Sequence, residues 1–183
     1  LKLIKVEYEI LPLIDTLEKA IAPDAHILHP GRDSNIFHRN RVRLGSVDEA
    51  FEQCDVIVEG SYKTPVQEHA YLQPEAGVAF YDEEGRITVI VAGQWTHEDR
   101  KEIAHALALE EDQVRVIYPA IGGAFGGRED MTVQIILGLA VMRLRERGIN
   151  RPVKIVWSRE ESIISHHKRH AYTMHAKWGA NKD

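Results

Sequence analysis

The residues with the clearest chemical potential form a glycine-rich stretch, GGAFGGRED, at positions 122–130. Four glycines within six residues let the backbone adopt positive φ and come close to a ligand. Backbone N–H groups placed ahead of a helix bind anionic or oxo groups. Phe125 is the one bulky residue among the glycines, so it either fills a hydrophobic gap or presents its ring edge to a ligand.

Several interpretations of this stretch compete. The spacing from Gly122 to Gly127 is that of a P-loop, but Arg128 replaces the lysine. Glu129 stands where a Ser or Thr would hold Mg²⁺, and a carboxylate there would repel phosphate. No G-x-G-x-x-G can be drawn, which argues against a dinucleotide fingerprint. A tight strand-to-helix connection, with Glu129 and Asp130 complementing the helix dipole, and a family-specific cofactor loop remain.

Ten histidines raise the hypothesis of a metal site. Positions 166, 167, 170 and 175 lie close together, but no H-E-x-x-H pattern occurs, and Lys168 and Arg169 would repel a cation. His69 beside Glu68 is typical of a satisfied structural pair. The sequence therefore predicts surface or structural histidines.

Several stretches in the right order resemble the molybdenum hydroxylases, the xanthine dehydrogenase and aldehyde oxidase family. Residues 122–129 reproduce the family loop G-G-x-F-G-G-[KR]-E, with Arg128 in place of the common lysine. Further similar segments are VEYEILP (6–12), EHAYLQPE (68–75), AGQWT (92–96), WSREE (157–161) and KRH (168–170). The resemblance spans nearly the whole chain and implies a fragment of the large molybdopterin-binding subunit.

The resemblance implies roles for five residues. Gln94 matches the glutamine whose amide hydrogen-bonds an oxo ligand of molybdenum, donating without adding charge to an anionic centre. Phe125 matches the phenylalanine whose backbone lies against that oxo group, and Gly126 and Gly127 let the backbone approach. Glu129 matches a glutamate that hydrogen-bonds the heterocyclic substrate in xanthine-oxidising members, whereas aldehyde-oxidising members often lack it.

The implied reaction is hydroxylation of an electron-poor carbon with water as oxygen source, hydride passing to the molybdenum centre. Glu129 favours a purine or another N-heterocycle. The family's general-base glutamate lies in a G-x-G-E segment that does not occur here, so no catalytic residue is expected in this chain, which alone should be inactive. The alternatives are an aldehyde-oxidising member and a non-catalytic binding or assembly module with a structural glycine-rich turn.

The resemblance also implies cofactors and partners. Molybdenum-molybdopterin is expected, with the plain pterin and the cytosine dinucleotide form both open. 2Fe-2S clusters and FAD are expected on partner subunits or domains, since this chain has one cysteine.

Helices alternating with strands across residues 86–157 predict an α/β fold of mixed α+β character with a mixed sheet. Asp15, Ser46 and Thr96 are the predicted N-caps, and Gly85 is expected at positive φ in a hairpin. Apolar faces are predicted at Ile103, Ala106 and Leu107 and at Met131, Ile135, Leu139 and Met142. Strands are predicted over 2–9, 55–62, 76–81, 86–92, 114–118, 153–157 and 171–178, and helices over 15–22, 46–53, 97–109, 130–146 and 159–165.

The composition is ordinary for a globular protein, with 183 residues, 44% hydrophobic, 28% charged, and a net charge of −5. Mild acidity argues against nucleic-acid binding, and no apolar run reaches the roughly 18 residues of a membrane span. The absence of a signal peptide favours the cytoplasm.

The chain begins inside a strand-like run, which indicates a piece of something longer. The resemblance divides it into the tail of a small α/β, hammerhead-like domain (1–25), a linker (26–45) and the N-terminal part of the molybdenum cofactor domain (46–183). Uncovered apolar faces would favour self-association.

Overall fold

The computed structural model describes residues 3–182, within which five helices, one 3₁₀ turn and six strands are formed. By their contacts, the residues divide into two compact units, Leu1–Ile57 with Gly179–Asp183, and Val58–Trp178. In chain order the elements are α1 (Leu17–Ile21), α2 (Val47–Glu52), β1 (Val56–Thr64), β2 (Ala76–Tyr81), β3 (Ile87–Val91), α3 (Thr96–Leu107), the 3₁₀ turn (Glu111–Gln113), β4 (Val114–Ile117), α4 (Gln134–Glu146), β5 (Val153–Val156), α5 (Arg159–Ser165) and β6 (Tyr172–Ala180).

The larger unit is built on a four-stranded sheet in the order β4-β3-β2-β5. β3 and β4 are parallel, whereas β2 is antiparallel to both of its neighbours, which confirms the predicted mixed sheet and α/β fold. The hairpin between β2 and β3 turns as predicted, with Gly85 at φ +77°. The Asp82 carboxylate accepts the backbone N–H groups of Glu84 and Arg86 and thereby fixes this turn.

The strand directions bring four chain segments to one end of this sheet. The register pairs the start of β2 with the ends of β3 and β5, and the end of β3 with the end of β4. Segments leading into β2, and those leaving β3, β4 and β5, therefore lie together at this end, hereafter the site end. β1 and β6 form a separate two-stranded sheet.

Helices α3 and α4 pack on each other and on the four-stranded sheet, and between them lies the core. Gly138 allows the close helix contact, since a Cβ there would lie 3.0 Å from Leu107 Cδ1. The buried side chains of the core come from the sheet (Ala79, Ile87, Val89, Val91 and Val114) and from the helices or their ends (Ile103, Ala104, Leu107, Val133, Leu137 and Val141).

Four details of the predicted helices in this unit are wrong. Helix α4 begins at Gln134, because residues 130–133 stay irregular, and it buries Leu137 and Val141 while Leu139 is exposed. Met131, Ile135 and Met142 only flank the core. In α3, Ala104 is buried where Ala106 was predicted, and Trp95, not Thr96, occupies the N-cap position.

The smaller unit differs more from prediction. Of the predicted strand 2–9, residue 2 lies outside the described residues, and residues 3–9 form no strand. Alternating polarity makes a strand only where another strand supplies hydrogen bonds, and none in the described chain pairs with this run. Helix α1 is capped by Thr16, whose hydroxyl accepts the Lys19 N–H, and Ser46 caps α2 without a side-chain hydrogen bond.

Among the described residues, no helix is long and apolar enough to cross a membrane.

Replacing Leu137 with alanine should lower the free energy of unfolding by about 3 kcal/mol, because the side chain is fully buried and leaves a cavity. Ile136→Ala is the matched control, since its side chain is 52% exposed. Its expected cost is about 0.5 kcal/mol. Denaturant unfolding of both variants measures the difference, and equal losses would contradict the assigned core face.

Candidate functional site

The glycine-rich stretch forms a loop between β4 and α4 whose tip is exposed and whose C-terminal end is buried. Phe125 at the tip has φ +55° and is 76% exposed, so its ring does not plug a gap within the unit. Gly126 follows at φ +87°, a conformation that a side chain would strain. Gly127 and Arg128, the next two residues, are buried. The loop thus presents its tip outward from a fixed base.

The N-terminal end of the loop is fixed to the segment that precedes β2. Gly122 N–H donates to the Gln73 side-chain oxygen at 2.9 Å, and Gln73 N–H donates back to Gly122 O at 3.4 Å. A Cβ at Gly122 would lie 2.5 Å from Gln73 Cβ, so this pairing requires glycine. A Cβ at Gly127 would lie 2.6 Å from Tyr71 Cε1, so Gly127 is constrained by the same segment.

Arg128 fixes the C-terminal end of the loop to the same segment. Its side chain is 2% exposed, and its guanidinium donates to Gln73 O at 2.5 Å and approaches a Glu75 carboxylate oxygen at 3.4 Å. The guanidinium also lies 3.9 Å from the centre of the Tyr71 ring, and Tyr71 Oη donates to Glu75. Burial would raise the pKa of Glu75, but hydrogen bonding and the Arg128 charge lower it, so the buried pair is ionic.

The importance of Arg128 and Glu75 was missed from the sequence. An arginine after a glycine loop is ordinarily solvated, so its type and position do not indicate a buried ion pair. The one hint in the sequence was that both residues fall in segments that resemble the molybdenum hydroxylases. They are 53 positions apart, and only the strand order brings them together.

Gln94 lies beside this loop. It follows β3 at the site end, and its backbone N–H donates to Arg128 O at 3.2 Å, while its side chain is exposed. Glu129 is also exposed and lines a cleft of about 400 Å³, which Trp95, the residue after Gln94, lines as well. The cleft is lined by Trp95, Glu98, Asp99, Glu102, Glu129, Asp130 and Met131.

The loop fits a cofactor that presents anionic or oxo groups. Among the described residues, the N–H groups of Phe125 and Gly126 donate no intramolecular hydrogen bond. They lie in the exposed tip, where Gly126 carries no Cβ, and the uncharged Gln94 amide stands at the loop's base. Backbone donors of this kind bind oxo and phosphate groups without adding a charge.

The predicted Glu68–His69 pair is wrong. Glu68 accepts hydrogen bonds from Ala70 N–H and His166 Nε2, at 3.0 and 2.7 Å, and pairs with Lys168 at 3.0 Å. Burial would raise the pKa of Glu68, but these contacts outweigh it and lower the pKa to about 2. His166, predicted to be a surface or structural histidine, is buried, and its partner is 98 positions away.

Replacing Arg128 with methionine should lower the free energy of unfolding by about 3–5 kcal/mol, because it leaves the Glu75 carboxylate buried and unpaired. Adding Glu75→Gln should recover part of that loss by removing the buried charge. Arg143→Met, which breaks an exposed pair with Glu146, is the control and should cost less than about 1 kcal/mol. If the two arginine variants lower the free energy of unfolding in urea equally, the assigned role of the buried Arg128–Glu75 pair is contradicted.

Comparisons with known proteins identify the family of the chain. The model of the molybdopterin cofactor-binding domain matches residues 28–183. The chain is 44% identical over 180 residues to the nicotinate dehydrogenase large molybdopterin subunit of Eubacterium barkeri, covering 98% of this chain and 41% of that protein. It is 36% identical over 181 residues to a probable xanthine dehydrogenase subunit of Bacillus subtilis, covering 99% of this chain and 23% of that protein.

Solved structures show the same relationship. The aldehyde oxidoreductase of Desulfovibrio gigas superposes with a TM-score of 0.88 at 27% identity, covering 97% of this chain and 19% of the other. The chain thus spans less than half the length of these relatives. These matches show that the chain, with its glycine loop beside Gln94, belongs to the molybdopterin cofactor-binding domain family of the molybdenum hydroxylases.

Proposed function

We propose that this chain supplies part of the cofactor and substrate site of a molybdenum hydroxylase that oxidises a purine or another N-heterocycle. The observation that carries the proposal is the exposed loop tip, where the N–H groups of Phe125 and Gly126 donate no hydrogen bond among the described residues, in a loop whose C-terminal end contacts Gln94. Relatives named for nicotinate and xanthine, both N-heterocycles, support the substrate class.

The bound molybdenum cofactor would supply oxidation of the substrate carbon, with water as the oxygen source. Gln94 would donate its side-chain amide to the molybdenum centre, and the backbone at Phe125 would lie against it. Gly126 and Gly127 would keep that approach open, since neither carries a Cβ. Glu129 would accept a hydrogen bond from a ring N–H of the substrate and so orient the heterocycle in the cleft.

The wider assembly is part of the same proposal. Residues 1–25 would close a small α/β domain, 26–45 would link it, and 46–183 would begin the molybdenum cofactor domain. The general base and the rest of the pocket would come from chain segments outside these residues, and 2Fe-2S and FAD groups from partner subunits or domains in the cytoplasm. This chain by itself would therefore be inactive.

Gln94→Ala in the full-length enzyme should lower kcat at least roughly tenfold, the effect of losing a hydrogen bond of about 1.5 kcal/mol to a charged centre. Folding should be unchanged, because the Gln94 side chain is exposed. Gln53→Ala, another exposed glutamine, is the control. Molybdenum and pterin contents are measured on the same samples. A wild-type protein without molybdenum and pterin would overturn the proposed function, and an unchanged rate would reject the role of Gln94.

Glu129→Val should weaken kcat/KM for xanthine, which carries ring N–H groups, roughly 10- to 100-fold, corresponding to a charge-assisted hydrogen bond of about 1.5–3 kcal/mol. An aromatic aldehyde has no ring N–H, so its turnover should change little. Glu102→Val alters the same cleft and serves as control. If the Glu129 variant reduces heterocycle and aldehyde turnover equally, the preference for N-heterocycles is removed.

A further inference from the structure

We propose that Glu68, His69 and His166 form a binding site for a divalent transition metal, best suited to Zn²⁺. One carboxylate oxygen and one nitrogen from each imidazole lie within 4.8 Å of one another. All three side chains belong to the larger unit, and His166 is 5% exposed. The site lies next to the glycine loop, since a Cβ at Gly126 would be 3.7 Å from His69 Nε2, but none of its three residues belongs to the proposed cofactor set.

The hydrogen bonds of His166 prepare it as a ligand. Its Nδ1 lies 2.5 Å from the backbone oxygen of His167 and must donate there, because a carbonyl only accepts. This bond fixes the tautomer and directs Nε2 towards Glu68 Oε1, 2.7 Å away. Two electron-pair donors at that distance require a shared cation, which is either a proton or a metal ion. A backbone carbonyl that accepts from the remote ring nitrogen is a usual partner of a metal-bound histidine.

The charged groups around the pair leave one carboxylate oxygen available. Lys168 binds the other oxygen of Glu68, Oε2, at 3.0 Å, which leaves Oε1 for a metal. Lys168 also donates to His166 O, and Arg169 donates to Pro65 O at 2.9 Å. Of the two cations that the sequence suggested would repel a metal, Arg169 is therefore engaged elsewhere, whereas Lys168 stays beside the site on Glu68 Oε2.

His69 supplies the second imidazole. Its Nδ1 is buried and has no hydrogen-bond partner among residues 3–182. A buried ring nitrogen without a hydrogen-bond partner is available as a metal ligand.

The donor set selects the metal. Two imidazoles and one carboxylate form a His₂Glu set that suits Zn²⁺, whereas Mg²⁺ and Ca²⁺ prefer oxygen ligands alone. Tetrahedral zinc holds its ligand atoms about 3.3 Å apart, so Glu68 Oε1 and His166 Nε2 would separate slightly as the metal replaces the shared proton. The His167 ring lies 5.6 and 5.8 Å from the other two and contacts Gly126 O at 3.4 Å, so the metal would stiffen the support behind the loop tip.

The test is a titration of untagged, chelator-treated protein with ZnCl₂ by calorimetry, and with CoCl₂ by visible absorption. We expect one equivalent of Zn²⁺ to bind, intense cobalt bands typical of a four-coordinate site, and no displacement by a hundredfold excess of Mg²⁺. Glu68→Gln and His166→Ala should each weaken zinc affinity at least 100-fold.

His69→Gln keeps a polar side chain at a less buried position, so it still tests the site if the His166 variant fails to fold. Circular dichroism of all variants checks their folding. His170→Asn, at an exposed histidine, is the matched control and should leave affinity unchanged. Three results would overturn the proposal: the wild type binds no stoichiometric zinc, Mg²⁺ displaces the zinc, or the His69 and His170 variants weaken zinc affinity equally. Molybdenum content measured in parallel separates this outcome from failure of the proposed function.

Discussion

The candidate site depends on one buried ion pair, between Arg128 and Glu75. Both side chains are almost fully removed from solvent, and each also binds a neutral partner, Gln73 O for the guanidinium and Tyr71 Oη for the carboxylate. A buried charge without such partners would be strongly unfavourable, so the loop end and the segment before β2 are stable only together. The exposed tip at Phe125 can be held in position because its base cannot move independently.

The sheet topology makes this pairing possible. Because β2 is antiparallel to β3 and β5, while β3 is parallel to β4, the segment entering β2 and the segments leaving the other three strands meet at the site end. The first of these carries Glu68 to Glu75, and the others carry Gln94, the glycine loop, and the run from Trp157 to His166. Both the proposed cofactor surface and the proposed zinc ligands result from this single arrangement.

Sequence patterns predicted correctly those elements that depend on neighbouring residues alone. The hairpin with Gly85, the loop between β4 and α4 and most strand positions follow from turn residues and alternation within a few positions. The failures share a cause. Residues 3–9 alternate like a strand, but no strand of the described chain pairs with them. Helix α4 starts only at Gln134 and buries Leu137 and Val141 instead of the predicted apolar face. Both depend on contacts that a single segment does not reveal.

The sequence by itself determined the glycine loop, the mixed α/β class and the family resemblance, because each is carried by neighbouring residues of particular types in a particular order. Only the tertiary structure decided which charges are buried and which side chains meet. Arg128 pairs with Glu75, and Glu68 with His166, across 53 and 98 positions. Burial and pairing between such distant positions are set by strand order, which linear spacing does not encode. For that reason, histidines whose sequence spacing suggests no metal site become a candidate ligand set in the tertiary structure.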